Sequence, residues 1–306
     1  MRAWRAVTLW AILCYTAPLP GLAEPCLRCH AGAEFRRAVA HGPLSRRKGC
    51  ERCHRPHASR YAKLLVRPVP TLCHRCHPET QRRLRRRAFA HPPAAEGKCL
   101  TCHEPHSSTT KGLLRQRASA VCGSCHRETQ RRPARVHPPF AQGRCVACHD
   151  PHASDDYRLL AADAPALCLR CHRGRLPARA HRGVSPQRLP CLSCHAPHGS
   201  AQAHLVRDRL HPPFARGQCS RCHAAGPQGT ATCLQCHPQV SAGFYALHHH
   251  LLGGDNPCTR CHSPHASEGK GLLADEPGRL CQRCHPDVYR RRRRSAYVHP
   301  NWERCT

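Results

Sequence analysis

The sequence predicts a chain that is mostly coil with short α-helices, has little or no β-sheet, and is filled by something other than its own side chains. Three observations lead there. The only Ile and the only Met of the 306 residues are Ile12 and Met1, at the extreme N-terminus, and aromatics make up 5%. A chain so short of large apolar residues cannot pack an ordinary core of this length. There are 26 Cys, a share that signals cross-linking or metal chemistry. Those Cys recur in one short pattern, mostly every 23 to 28 residues, which marks an array of repeats. A standard α/β enzyme and a β-sandwich are excluded.

The first element is a secretory signal over residues 1–23. Arg2 and Arg5 form a charged start, Ala6 to Pro18 is apolar, and Gly21-Leu22-Ala23 offers small residues before a cut. The apolar run is too short to span a membrane. A lipoprotein reading would use Cys14, but Leu13 before it is too bulky. No later segment is apolar enough to be transmembrane, so the mature chain is expected in the periplasm, at the outer membrane or outside the cell.

The repeated pattern is Cys-x-x-Cys-His, and it occurs twelve times. The Cys pairs are Cys26 and Cys29, Cys50 and Cys53, Cys73 and Cys76, Cys99 and Cys102, Cys122 and Cys125, Cys145 and Cys148, Cys168 and Cys171, Cys191 and Cys194, Cys219 and Cys222, Cys233 and Cys236, Cys258 and Cys261, and Cys281 and Cys284. Each second Cys is followed by His: His30, His54, His77, His103, His126, His149, His172, His195, His223, His237, His262 and His285. This is the attachment signature of c-type haem. Two thiols add across the vinyl groups and the adjacent His becomes the proximal ligand of the iron. A structural zinc site needs four protein ligands and gives no reason for His after every second Cys. A redox dithiol is normally single and sits in a βαβ context. The cofactor is therefore haem c, twelve per chain, and the fold becomes coil and short helices wrapped around a covalent haem array.

Two kinds of motif alternate. One follows Leu or Val, as in Leu72-Cys73, Val121-Cys122, Leu167-Cys168 and Leu280-Cys281. The other is followed by x-Pro-His, placing His57, His106, His152, His198 and His265. The unit is a two-haem repeat of about 46 residues. Here the chain resembles the multihaem c-type cytochromes with doubled Cys-x-x-Cys-His motifs, which include periplasmic decahaem electron-conduit cytochromes housed in outer-membrane porins. The resemblance spans nearly all of residues 24–306. It implies an elongated chain of closely packed porphyrins that passes electrons and does no chemistry on a substrate. It also implies redox partner proteins, namely a membrane-side donor and an acceptor such as a porin-bound or extracellular cytochrome.

Each iron needs a second axial ligand. Mature Met is absent, so that ligand is His or the site is open. The five Pro-His residues supply a first set of distal candidates. A second set stands at a recurring short distance ahead of a motif: His41, His91, His137, His181, His211 and, in the triplet His248 to His250, His250 by spacing. His299 follows the last motif in the same His-Pro context. The candidates number twelve, matching the motifs, which predicts saturated bis-His iron throughout, with the pairing unknown. His74 and His204 are left as bystanders.

Lys and Arg total 49 against 18 acids, a net charge of +31, or +29 once residues 1–23 are gone. Such a charge usually points to nucleic acid or an anionic surface. An exported chain does not meet nucleic acid, and haem propionates offer another sink, which Arg can bind bidentately. The runs at Arg82 to Arg87, Arg131 with Arg132, and Arg290 to Arg294 are the candidates for that or for docking an acidic partner.

Helices are expected after His77 (residues 78–89), after His126 (127–135) and after His285 (286–297), with Pro78 and Pro286 suited to a first turn. Regular two-haem repeats should fill residues 24–205. The last four motifs should form a less regular lobe over residues 206–306. Within that lobe His223 is followed by Ala224-Ala225-Gly226 and not by Pro-His, and the next motif opens early, at Cys233. Any open iron is expected at His223 or a neighbour. The alternatives to a carrier are a multihaem reductase of nitrite, hydroxylamine or a sulfur oxyanion, and a filament subunit that lends a His to its neighbour. The end of the chain, His299 to Cys305, reads like the start of a further motif.

Overall fold

The fold was obtained as a computed structural model, which describes residues 25–30, 32–131, 133–173, 181, 187, 189–223, 229–240, 257–285, 287–288 and 295. The chain is mostly coil, with helices of nine residues or fewer among the described residues and only two-residue strands. No described helix is long and apolar enough to cross a membrane. Two compact units are formed, residues 1–77 with 97–117, and residues 78–96 with 118–306.

The expected helix after His77 is present as Pro78–Arg86, with Pro at its start and Glu79 in its first turn. After His126 there is only a single 3₁₀ turn, Arg127–Gln130, which ends ahead of Pro133. The helix expected over 286–297 lies mostly outside the described residues. Other helices lead into motifs, as in Val69–His74, Ala164–His172 and Pro277–Cys284. The second of these is capped by Asp163, which accepts from the Ala166 N–H at 3.2 Å.

Among the described residues, eight strands make four antiparallel ladders. In the first unit β1 (Val39–Ala40) pairs with β3 (Ser107–Ser108). In the second, β2 (Phe89–Ala90) pairs with β5 (Ala153–Ser154), β4 (Arg135–Val136) with β6 (Gly199–Ser200), and β7 (Arg209–Leu210) with β8 (Ala266–Ser267). Each ladder joins the residues just before a distal-candidate His to those just after a Pro-His. These strands hold the best-buried of the described residues: Ser107, Ser108, Ser200 and Ala266 are at most 1% exposed. Only Ala, Ser and Gly fit on that side of the ladder. The buried hydrophobic residues among those described are Ala153, Leu160, Ala196 and Ala266. So little apolar burial is far below what a chain of this length needs to stand alone.

Candidate functional site

The described motifs fold as one helical turn. The His N–H bonds back to the carbonyl of the first Cys, for example His54 to Cys50 at 2.8 Å, His77 to Cys73 at 3.0 Å and His262 to Cys258 at 2.8 Å. Positions i, i+3 and i+4 share a helix face. Both thiols and the imidazole therefore project from one side, which is why Cys-x-x-Cys-His suits a single planar group. The two sequence types take two local forms. Motifs led by Leu or Val end α-helices, whereas most Pro-His motifs are a lone 3₁₀ turn such as Cys50–Arg52, Cys99–Thr101 or Cys145–Ala147. Two residues ahead of such a turn, Gly97 and Gly143 have φ of +71° and +68°. A Cβ there would also strike Pro70 or Ser119, at 2.3 and 2.7 Å.

The ladders aim the distal candidates. The His41 N–H donates to the His106 carbonyl at 2.8 Å, His91 to His152 at 2.8 Å, His137 to His198 at 3.2 Å and His211 to His265 at 2.9 Å. Each ladder thus carries two histidines back to back. Their rings meet proximal histidines of different motifs. His41 faces His77 at 6.2 Å between centroids, His91 faces His126 at 6.0 Å, His137 faces His172 at 6.1 Å and His211 faces His237 at 6.2 Å. In the opposite direction His106 faces His54 at 6.0 Å, His198 faces His149 at 6.0 Å and His265 faces His223 at 5.9 Å. His181, which belongs to no described ladder, faces His195 at 6.3 Å.

That separation is the one an iron requires. With a metal–imidazole bond of about 2.0–2.1 Å and roughly 1.1 Å from nitrogen to ring centre, two trans imidazoles have centres about 6.3 Å apart. The eight observed values lie between 5.9 and 6.3 Å, too wide for rings in van der Waals contact and too uniform for chance neighbours.

The ring nitrogens are sorted accordingly. Nδ1 of His54, His103, His149, His195 and His262 donates to the carbonyl nine residues on, at Lys63, Gly112, Arg158, His204 and Gly271, over 2.8–3.0 Å. Nδ1 of His41, His91, His137 and His211 donates to the carbonyls of Pro105, Pro151, Pro197 and Pro264, over 2.8–3.0 Å. A carbonyl only accepts, so Nδ1 carries the proton and Nε2 keeps a free lone pair for a metal. His126 departs from this, since its Nδ1 lies 3.2 Å from Glu128 Oε1. Burial holds His106, His137, His195, His198 and His265 below the ordinary histidine range, favouring the neutral ligand form. Phe140 and Phe35 lie against His198 and His106, with centroids 4.6 and 4.7 Å apart.

The thiols of successive motifs are also close. Cys73 and Cys99 hydrogen-bond, as do Cys168 and Cys191, and Cys233 and Cys258. The shared proton, with burial, raises Cys73 and Cys168, and the same bond lowers Cys99 and Cys191 to about 6. Cys53 feels Cys76, and Cys261 feels Cys284.

Some expectations meet a different arrangement. His223, the first suspect for an open iron, faces His265. His57 faces no ring among the described residues, and neither His30 nor His262 has a facing imidazole among them. His250 and His299 lie outside the described residues. His204 serves through its carbonyl, in the left-handed position (φ 56°) that Lys63, Gly112 and Gly271 fill elsewhere. The Arg82 to Arg87 run is partly spent on protein acids, with Arg82 paired to Glu79, Arg83 to Asp150 and Arg87 to Asp155. Arg131 stands at the end of its 3₁₀ turn, while Arg132 and the run 290–294 lie outside the described residues.

Sequence analysis missed the ladders and a basic cluster around Tyr157. The Tyr157 hydroxyl donates to Asp275, which also pairs with Arg283 at 3.1 Å and Arg158 at 3.4 Å. Burial pushes Asp275 up, but these donors prevail and leave it below the usual carboxylate range. No spacing in the sequence links residues 157 and 275.

The doubled CXXCH motif family matches residues 41–82, 91–131, 137–175 and 248–289, more than half of the chain. Each matched stretch takes in a Pro-His motif and the Leu- or Val-led motif after it. A search of curated proteins finds no match. Thiols and imidazole on one face of a turn, and a second imidazole across a metal-sized gap, are what that family's cofactor demands. The chain belongs to the doubled CXXCH motif family, the multihaem c-type cytochromes that hold haem c covalently and transfer electrons.

Proposed function

We propose that the chain is an exported dodecahaem cytochrome that carries electrons between a membrane-side donor and a periplasmic, outer-membrane or extracellular acceptor. The eight facing imidazole pairs carry this reading. When bound, haem c supplies a one-electron iron couple. The chain's own residues do the rest. The Cys pairs would tether each group, and the facing imidazole pairs would hold its iron between them and leave no place for substrate. Backbone carbonyls hold the Nδ1 proton of nine histidines, which would fix the ring orientation towards the iron. Neighbouring thiols such as Cys73 with Cys99 and Cys168 with Cys191 set successive groups side by side. The Arg excess offsets the propionates, and the basic surface that remains suits an acidic redox partner. Signal cleavage after residue 23 delivers the chain to the periplasm, where such partners sit.

The alternative reading is a multihaem reductase, in which one iron keeps a single protein ligand. Such an iron would accept a small oxyanion or amine, as a reductase does. One experiment separates the two. The electron paramagnetic resonance spectrum of the oxidised holoprotein is recorded with spins counted against total haem, before and after nitrite or cyanide. Low-spin iron throughout, unchanged by either ligand, is expected of the carrier. A high-spin fraction of one or two haems per chain that binds the added ligand moves the reductase forward.

A further inference from the structure

We propose that His181 is the distal ligand of the haem tethered at Cys191 and Cys194, and that this pair, alone among the described ones, departs from the register by which the chain assigns its ligands. The proposal rests on the haem reading above and goes beyond it by fixing which histidine serves which iron where the repeat breaks.

The register has two rules. A histidine ahead of a Pro-His-type motif serves the next motif: His41 with His77, His91 with His126 and His137 with His172, all Leu- or Val-led, and His211 with His237, whose motif follows Thr232. A histidine in the Pro-His slot serves the previous Pro-His-type motif: His106 with His54, His198 with His149 and His265 with His223. Every such pair spans at least one other motif. The ladders impose both rules at once, because each ladder fixes one histidine of either kind.

The motif at Cys219 breaks the alternation. Its lead-in, His211-Pro212-Pro213-Phe214, copies His137-Pro138-Pro139-Phe140 ahead of Cys145, so it is of the Pro-His type by its approach. It follows the motif at Cys191, which is of the same type, with no Leu- or Val-led motif between. It then reads Ala224-Ala225-Gly226 where the Pro-His should stand. Two consequences follow from one event. The haem at His195 loses its expected donor, and the lead-in histidine ahead of Cys191, His181, loses its expected target. By the first rule His181 would serve His223, but His223 already faces His265 at 5.9 Å and 13°.

The geometry joins the two leftovers. His181 and His195 face each other at 6.3 Å and 33°, close to the separations of the seven regular pairs. His195 Nδ1 donates to the His204 carbonyl at 3.0 Å, which leaves its Nε2 for the iron. The pair closes the short loop from His181 to His195, which holds no motif but that of His195 itself.

The test uses the full holoprotein, with covalent haem counted by mass. His181→Ala is expected to convert one low-spin haem per chain to high-spin, and added imidazole to reverse the change. In a background lacking that haem, Cys191→Ala with Cys194→Ala, adding His181→Ala is expected to produce no high-spin iron. His181→Met, which keeps a ligand in place, is expected to raise the potential of a single haem and gives the answer if the Ala variant does not accumulate. Unchanged low-spin iron in His181→Ala with no shifted potential in His181→Met overturns the proposal. So does a high-spin haem that persists in the Cys191→Ala, Cys194→Ala background, which would return His181 to another iron. A purified chain without covalent haem would overturn the haem reading itself, and the mass shows that independently of the spin state.

Discussion

Residues 137–172 and 181–237 contain the same kinds of parts in different order. In the first stretch a lead-in histidine, a Pro-His motif and a Leu-led motif follow one another, and His137 reaches across to His172. In the second, two Pro-His-type motifs come in succession and His181 faces His195. The difference separates two jobs that the regular repeat performs together. A distal histidine completes an iron, and it also fastens one repeat to another. His137 does both, from a ladder that His198 shares, whereas the pairing of His181 with His195 spans no other motif. Family membership follows the same division, because the matched stretches end at 175 and resume at 248.

The comparison can be tested by removing what both regions share. Chain produced without haem attachment should lose most of its structure in both stretches, because so few side chains are buried. Far-ultraviolet circular dichroism of the unloaded chain should be that of a coil, and retained native-like helix would show that side chains suffice.

The next effect distinguishes a fastened histidine from a spare one. His198→Ala should turn one haem per chain high-spin, since His198 faces His149 at 6.0 Å. His57→Ala, in the same sequence slot, should leave the low-spin count unchanged. Equal losses in the two variants would show that His57 also serves an iron.

A smaller effect lies in the ladders. Ser154 is 7% exposed, donates its Oγ to the Leu160 carbonyl and accepts the Asp156 N–H at 3.1 Å. Ser154→Ala should cost about 1–2 kcal/mol, read as a lower Tm of the holoprotein. Ser59 makes the same contacts, to the Leu65 carbonyl and the Tyr61 N–H, but in a repeat whose Pro-His joins no described ladder, and Ser59→Ala should cost less.

The smallest effect is electronic. His126 is a proximal histidine whose Nδ1 meets a carboxylate, Glu128, and not a carbonyl. A carboxylate partner makes the imidazole a stronger donor and lowers the potential of its iron. Glu128→Gln should raise the potential of the haem at His126 most, shift that at His149 less, because its facing His198 also senses Glu128, and leave the others where they were. A redox titration followed in the visible spectrum checks this.

The chemistry of the site was legible because covalent attachment writes itself locally. Two thiols and an imidazole must share one helical turn, so a single short motif carries the whole signal. The distal histidines were legible as recurring positions, and the helix at Pro78–Arg86 as a Pro start followed by good helix formers. The pairing was not, since His106 lies beyond two further motifs from His54 and nothing local records that. The ladders were invisible for another reason: a strand as short as Val39–Ala40 has no period to detect. The count of twelve donors for twelve sites carries no pairing, which backbone hydrogen bonds such as His41 to His106 set by fixing the direction of each ring.

The two opposed reaches have a consequence for assembly. His41 must wait for His77, and His54 must wait for His106. As the chain emerges from its N-terminus, a centre of the first kind is complete once its own motif appears, whereas one of the second kind stays half-finished until two further motifs have followed it. A stall in export would leave a short window of incomplete centres at the growing end, with everything behind it already locked. The loop from His181 to His195 closes within its own span. Among the described pairs it is the one that forms without another motif having to pass between its two histidines.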